Sequence, residues 1–103
     1  MRTPSDANPE QPLDAILGSV AAVRVLRELA DEEAHAPSFL ARQTNVSRPA
    51  VRDALLRLER FNMVARVGEG RVVLYRLNAD HPLMRRVVKL FRAESKLDVD
   101  TDE

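Results

Sequence analysis

Apolar positions recur three and four residues apart through the first third of the chain. Leu13, Ile16, Leu17 and Val20, then Val23, Leu26 and Ala30, follow a helical period. Gly18-Ser19 interrupts them, and serine is a favoured residue at a helix N-terminus, so the spacing predicts a short helix over 13–17 and a longer one over 20–32. Residues 1–12 are polar and rich in proline, too poor in apolar side chains to offset their ordering entropy, and read as a disordered leader. Asp31 to Pro37 forms an acidic connector. A short helix is expected over Ser38–Gln43, partly burying Phe39, Leu40 and Ala41, followed by the turn Thr44-Asn45-Val46-Ser47. Ser47 then stands where it can cap a third helix, Arg48 to Phe61, with Val51, Leu55 and Leu58 on one face. Pro49 falls in the first turn, where its missing N–H costs little, and Asn45 and Asn62 tolerate the left-handed conformation of helix ends.

Beyond Asn62 the period changes to two. Val64–Val67 and Val72–Leu77 are β-prone runs on either side of Gly68-Glu69-Gly70-Arg71, a hairpin signal. A last helix follows, with Asp80 as the expected N-cap and Pro82 in the first turn. Leu83, Val87, Leu90, Phe91 and Leu97 give it a wide apolar stripe, and Asp98–Glu103 reads as a frayed tail. The predicted fold class is mainly α with a small β-hairpin (α+β): a three-helix core, a hairpin and a C-terminal helix. One domain over 13–96 lies between the leader and an acidic tail over 97–103.

Charge changes the picture. The chain's 16 basic and 16 acidic residues balance, which suggests indifference to nucleic acid. That average hides a basic middle with two acidic ends. Residues 36–96 hold 13 basic and 5 acidic side chains, whereas residues 97–103 hold 4 acids and no base. Zero cysteines exclude a disulfide framework and a thiolate metal site. The longest apolar runs, Val20–Val23 and Val72–Tyr75, are far short of the roughly 20 residues a membrane helix needs. No membrane partner and a cytoplasmic location are expected. His35 and His81 lack a convergent partner group, so no enzyme activity, cofactor or metal is expected.

A short helix and a second helix meeting through a tight turn form a helix-turn-helix, which lets the second lie in a major groove about 12 Å wide. Here the sequence resembles the winged helix-turn-helix transcriptional regulators of the ArsR and MarR groups. The resemblance rests on Leu40-Ala41, Val46-Ser47, Val51, Leu55, Leu58-Glu59 and Met63-Val64, followed by the Gly68-Glu69-Gly70 hairpin, and covers about residues 16–92. It departs at two positions where the pattern has glycine and this chain has Asn45 and Asn62. The Asn78–Leu83 segment also resembles that of winged helices preceding nucleotidyltransferase domains.

The resemblance implies that the helix over 48–60 reads double-stranded DNA and that the hairpin over 64–77 is the wing. Ser47, Arg48, Pro49 and Arg52 would face the groove, with either arginine going to guanine O6/N7 or to a phosphate. Arg71 at the hairpin tip would reach the minor groove or backbone, with Arg42, Arg66 and Arg76 as further candidates. The plain alternative for each is a solvated surface charge, and Arg57 is placed to pair with Asp53 one turn away. Asp53 and Leu56 fit a DNA-facing helix poorly unless they meet cytosine N4 and a thymine methyl. The stripe of the last helix either caps its own core or forms a dimer interface. Met84 and Val88 widen it beyond what one intradomain contact needs, which favours a homodimer, acting as a repressor, with Leu83, Met84, Val87, Val88, Leu90 and Phe91 at its interface. The resemblance implies that Leu13, Ile16 and Leu17 pack there too. An effector would be an unknown small molecule or protein. The alternative is a winged helix that serves as a protein-interaction or assembly module.

Overall fold

A computed structural model describes residues 11–101 apart from position 69. The elements are α1 (Pro12–Leu17), α2 (Val20–Leu29), α3 (Pro37–Thr44), α4 (Arg48–Arg60), β1 (Val64–Val67), β2 (Leu74–Leu77) and α5 (Pro82–Thr101). The architecture is the expected one, a helical core with a two-stranded antiparallel hairpin, Val64 opposite Leu77 and Val67 opposite Leu74.

Local chemistry places the ends. Ser19 Oγ accepts from Ala22 N at 3.1 Å and Ser47 Oγ accepts from Ala50 N at 3.3 Å, so both predicted serine caps are present. Asn45 and Asn62 stand at φ 58° and 61°, the left-handed conformation their side chains tolerate. Gly18 sits between α1 and α2 where a Cβ would lie 2.8 Å from the Asp14 carbonyl oxygen, so the tight bend there admits little else.

Several boundaries move. Pro12 is the first residue of α1, not the end of a leader, and residues 1–10 lie outside the described part. Helix α2 stops at Leu29, three residues early, because Glu32 turns left-handed at φ 64° and Asp31 Oδ1 accepts from Glu33 N at 2.8 Å. The chain so released runs extended, and His35 pairs antiparallel with Tyr75, N to O at 2.9 Å and O to N at 2.8 Å. The acidic connector therefore supplies a third strand position against the hairpin. Strand β2 begins at Leu74, two residues late, which makes a longer hairpin loop. The residue before α5 is His81, not Asp80. Its Nδ1 accepts from Leu83 N at 3.1 Å, while Asp80 N donates to Asn78 Oδ1 in a tight turn. Helix α5 continues to Thr101, so the expected tail from 97 is helical over most of its length.

One core joins these elements. Leu26 and Leu29 from α2, Leu40 from α3, Val51, Leu55 and Leu58 from α4, Met63 and Tyr75 from the hairpin region and Met84 and Val88 from α5 form a single buried cluster. Thr44, the one buried polar residue of the described part, donates its hydroxyl to Leu40 O at 2.6 Å and so leaves nothing unsatisfied.

Candidate nucleic-acid interface

Burial on one side of α4 decides what the other side presents. Val51, Ala54, Leu55 and Leu58 enter the core, and Pro49, Arg52, Asp53, Leu56 and Arg60 are exposed on the opposite face. The Ser47 cap uses one oxygen lone pair on Ala50 N and leaves the hydroxyl proton available to donate, beside first-turn amides that have no partner within the helix. Arg48 and Arg52 are both exposed, and neither forms an ion pair among the described residues. Arg48 projects to the flank of the helix and Arg52 lies nearer the centre of the outward face. Arg42, exposed in the last turn of α3, brings a further cation to the helix-turn-helix.

The hairpin arginines are of two kinds. Arg71 is exposed in the loop. Arg66, by contrast, is already engaged: its Nη2 donates to Glu59 Oε1 at 3.2 Å and its guanidinium lies 5.6 Å from the Tyr75 ring centre. The Glu59 hydrogen bond holds its pKa above the ordinary value. Arg66 thus braces the wing against α4. Arg76 is exposed on β2 opposite Ala65. Asp53 has no hydrogen bond or ion pair among the described residues, so the expected pairing with Arg57 is not formed.

Not all of the basic surplus lies on this face. Arg85, Lys89, Arg92 and Lys96 recur at helical spacing along exposed α5, far along the chain from the helix-turn-helix. The count over residues 36–96 therefore spans more than the helix-turn-helix and its hairpin.

The apolar stripe of α5 divides in the same way. Met84 and Val88 were expected at an interface, but they are 0% and 7% exposed inside their own core, which corrects that assignment. Ile16, 4% exposed, joins that core and also lines the apolar groove beside it. The width of the stripe reflects packing against α2 and the hairpin, and sequence spacing does not distinguish this from a surface for another chain. Leu83, Val87 and Phe91 pack part-buried against the core. Leu13, Leu17, Leu90 and Leu97 remain exposed around an apolar groove of about 470 Å³ between α1, α2 and α5. Arg27 Nε and Nη2 donate to the two Glu94 carboxylate oxygens at 2.8 and 3.0 Å, and Arg27 lies 5.3 Å from the Phe91 ring centre. This half-exposed bridge at the groove rim joins α5 to α2. It joins residues 67 positions apart, which no local pattern reveals.

His35 also gains a role that its sequence surroundings hid. Its Nε2 lies 2.9 Å from Asp31 Oδ2 and its ring stacks on Phe39 at 4.7 Å. Burial pushes the Asp31 carboxyl upward, but the Glu33 N–H and the His35 ring outweigh it, leaving the pKa below the ordinary value. Among the described residues no group of His, Asp and Glu side chains could hold a metal ion, and no helix is long and apolar enough to cross a membrane.

No family model matches the chain, and no curated protein matches its sequence. Solved structures do. The zinc-responsive MarR family member ZitR from Lactococcus lactis, in its complex with DNA, is 17% identical with a TM-score of 0.65, and the match covers 98% of this chain and 63% of that one. An ArsR-like transcriptional regulator from Rhodococcus sp. RHA1 is 26% identical with a TM-score of 0.60, covering 87% of this chain and 85% of that one. The antimony-specific transcriptional repressor AntR is 19% identical with a TM-score of 0.66, covering 98% of this chain and 96% of that one. This chain spans about three-fifths of the ZitR length. Its fold is the winged helix-turn-helix of MarR- and ArsR-type regulators, as the sequence pattern implied.

Proposed function

We propose that this protein is a sequence-reading, DNA-binding transcriptional regulator that acts as a homodimer in the cytoplasm, most simply as a repressor that occludes its site. The observation that carries this reading is the outward face of α4. A helix whose buried side is fully used by the core presents a capped N-terminus, Ser47, Pro49 and Arg52 on a free surface, with Arg48 at its edge. Arg42 lies on the helix before the turn and Arg71 in the hairpin loop, which suits a major-groove helix flanked by phosphate contacts.

The groove bordered by the exposed Leu13, Leu17, Leu90 and Leu97 is the surface we assign to a second copy. A two-fold pair would set two reading helices one duplex turn apart, roughly 34 Å, and call for a palindromic site. The half-exposed Leu56 favours one other reading, a protein-binding winged helix.

The deciding test is fluorescence anisotropy with DNA from upstream of the protein's own gene and with random duplex, at about 50 and 200 mM salt. The regulator reading expects preferential, salt-sensitive binding that Arg48→Ala or Arg52→Ala abolishes. Absence of binding at the lower salt refutes it and leaves the protein-binding module.

A further inference from the structure

We infer that Asp53 and Leu56 are specificity-determining residues, reading a cytosine and a thymine in neighbouring base pairs; this rests on the DNA-reading function proposed above. Both lie on the exposed face of α4, between Pro49 and Arg60. Residues in the middle of that face meet base edges, while those at its margins meet the strands. Asp53 has no partner among the described residues, so it is not there to neutralise a neighbouring arginine. Leu56 is 49% exposed, although the core side of the same helix has no room left for it.

A carboxylate brought up to a polyanion is repelled unless it meets a donor. The major groove offers two, cytosine N4 and adenine N6, and adenine sets its N7 lone pair beside N6 where it would oppose the carboxylate. Cytosine is therefore the base that Asp53 accepts from. An exposed leucine gains from a groove only where it covers apolar surface, and the one methyl on a base edge is that of thymine. The two positions are three residues apart, about 4.5 Å along the helix. Side chains that close on one face reach the same short stretch of groove. Asp53 alone would be a deterrent and Leu56 alone a stray apolar residue; together they specify a two-pair step.

The test is selection from a random duplex library with the full chain, followed by anisotropy on the selected site. The wild type is expected to enrich neighbouring C·G and T·A pairs in each half-site. Replacing that thymine by uracil, which removes only the methyl, should weaken wild-type binding about fourfold, the value of one buried methylene-sized group. It should leave Leu56→Ala unaffected. Asp53→Ala should lose a preference for C·G of at least about fivefold at its position while keeping the rest of the motif. Both side chains are exposed, so circular dichroism melts should match the wild type. An Asp53→Ala protein that binds every duplex more tightly by one common factor would mean Asp53 only repels phosphate, and the inference fails. A motif unchanged in both variants also overturns it while leaving the regulator reading intact. If the wild type enriches no motif and binds no duplex, both fall together.

Discussion

Ser47 has two separable roles, and one substitution series tests both. Its hydroxyl oxygen caps α4 through Ala50 N at 3.3 Å, and the N-terminus it caps is where a phosphate would sit. Ser47→Ala removes the cap at a cost of about 1 kcal/mol, within a usual range of roughly 0.5–2. For a domain of this size that lowers Tm by about 4–8 °C. Ser47→Asp keeps a good capping acceptor and adds a charge the helix dipole favours, so its Tm should stay near that of the wild type. The same charge would face a phosphate, so duplex affinity should fall about fivefold to tenfold at low salt, with the loss fading as salt rises. The assay is a thermal melt followed by circular dichroism, paired with anisotropy on one duplex. If Asp destabilises as much as Ala, the capping argument is wrong. If Asp binds duplex as well as serine does, the N-terminus of α4 does not face the backbone.

Other consequences are as direct. Met84→Ala should destabilise the fold by about 2–5 kcal/mol without changing association beyond the loss of folded protein, because Met84 is fully buried. Leu90→Glu, at a side chain 68% exposed, should leave the monomer's stability within about 0.5 kcal/mol yet abolish dimers in light scattering. The Asp31 carboxyl titrates below its unfolded value of 3.8, so its contribution is present above that pH and is lost as pH falls through the lower folded value. Asp31 is nearly half exposed, which limits this to a few tenths of a kcal/mol, and acid melts of Asp31→Asn against wild type should converge below that window. Arg71→Ala should reduce the slope of log affinity against log salt by about 0.9 per protomer with no change in Tm, if Arg71 meets one phosphate. Arg66→Ala should instead speed amide exchange in β1 and β2, since its side chain braces the wing on Glu59 and Tyr75.

The nearest-neighbour chemistry of the chain was enough for much of this molecule. The serine caps, the left-handed asparagines, the proline in the first turn of α4 and the glycine hairpin act within four residues of themselves. Their energetics are therefore written in the local sequence, and so is the order of elements that makes a winged helix. What lay outside local reach came out differently. The strand position of the connector was set by Tyr75, 40 positions beyond its partner His35, whose two backbone hydrogen bonds hold the chain extended once Glu32 has turned it out of α2. Arg66, read as a DNA contact, also has a partner within the chain, Glu59 on α4, which no local pattern reveals. Met84 and Val88 looked like surface for a second chain because an apolar stripe reads the same whichever body covers it. Only packing decides which apolar residues a single chain can bury for itself, and which, like Leu13, Leu17, Leu90 and Leu97, it leaves exposed.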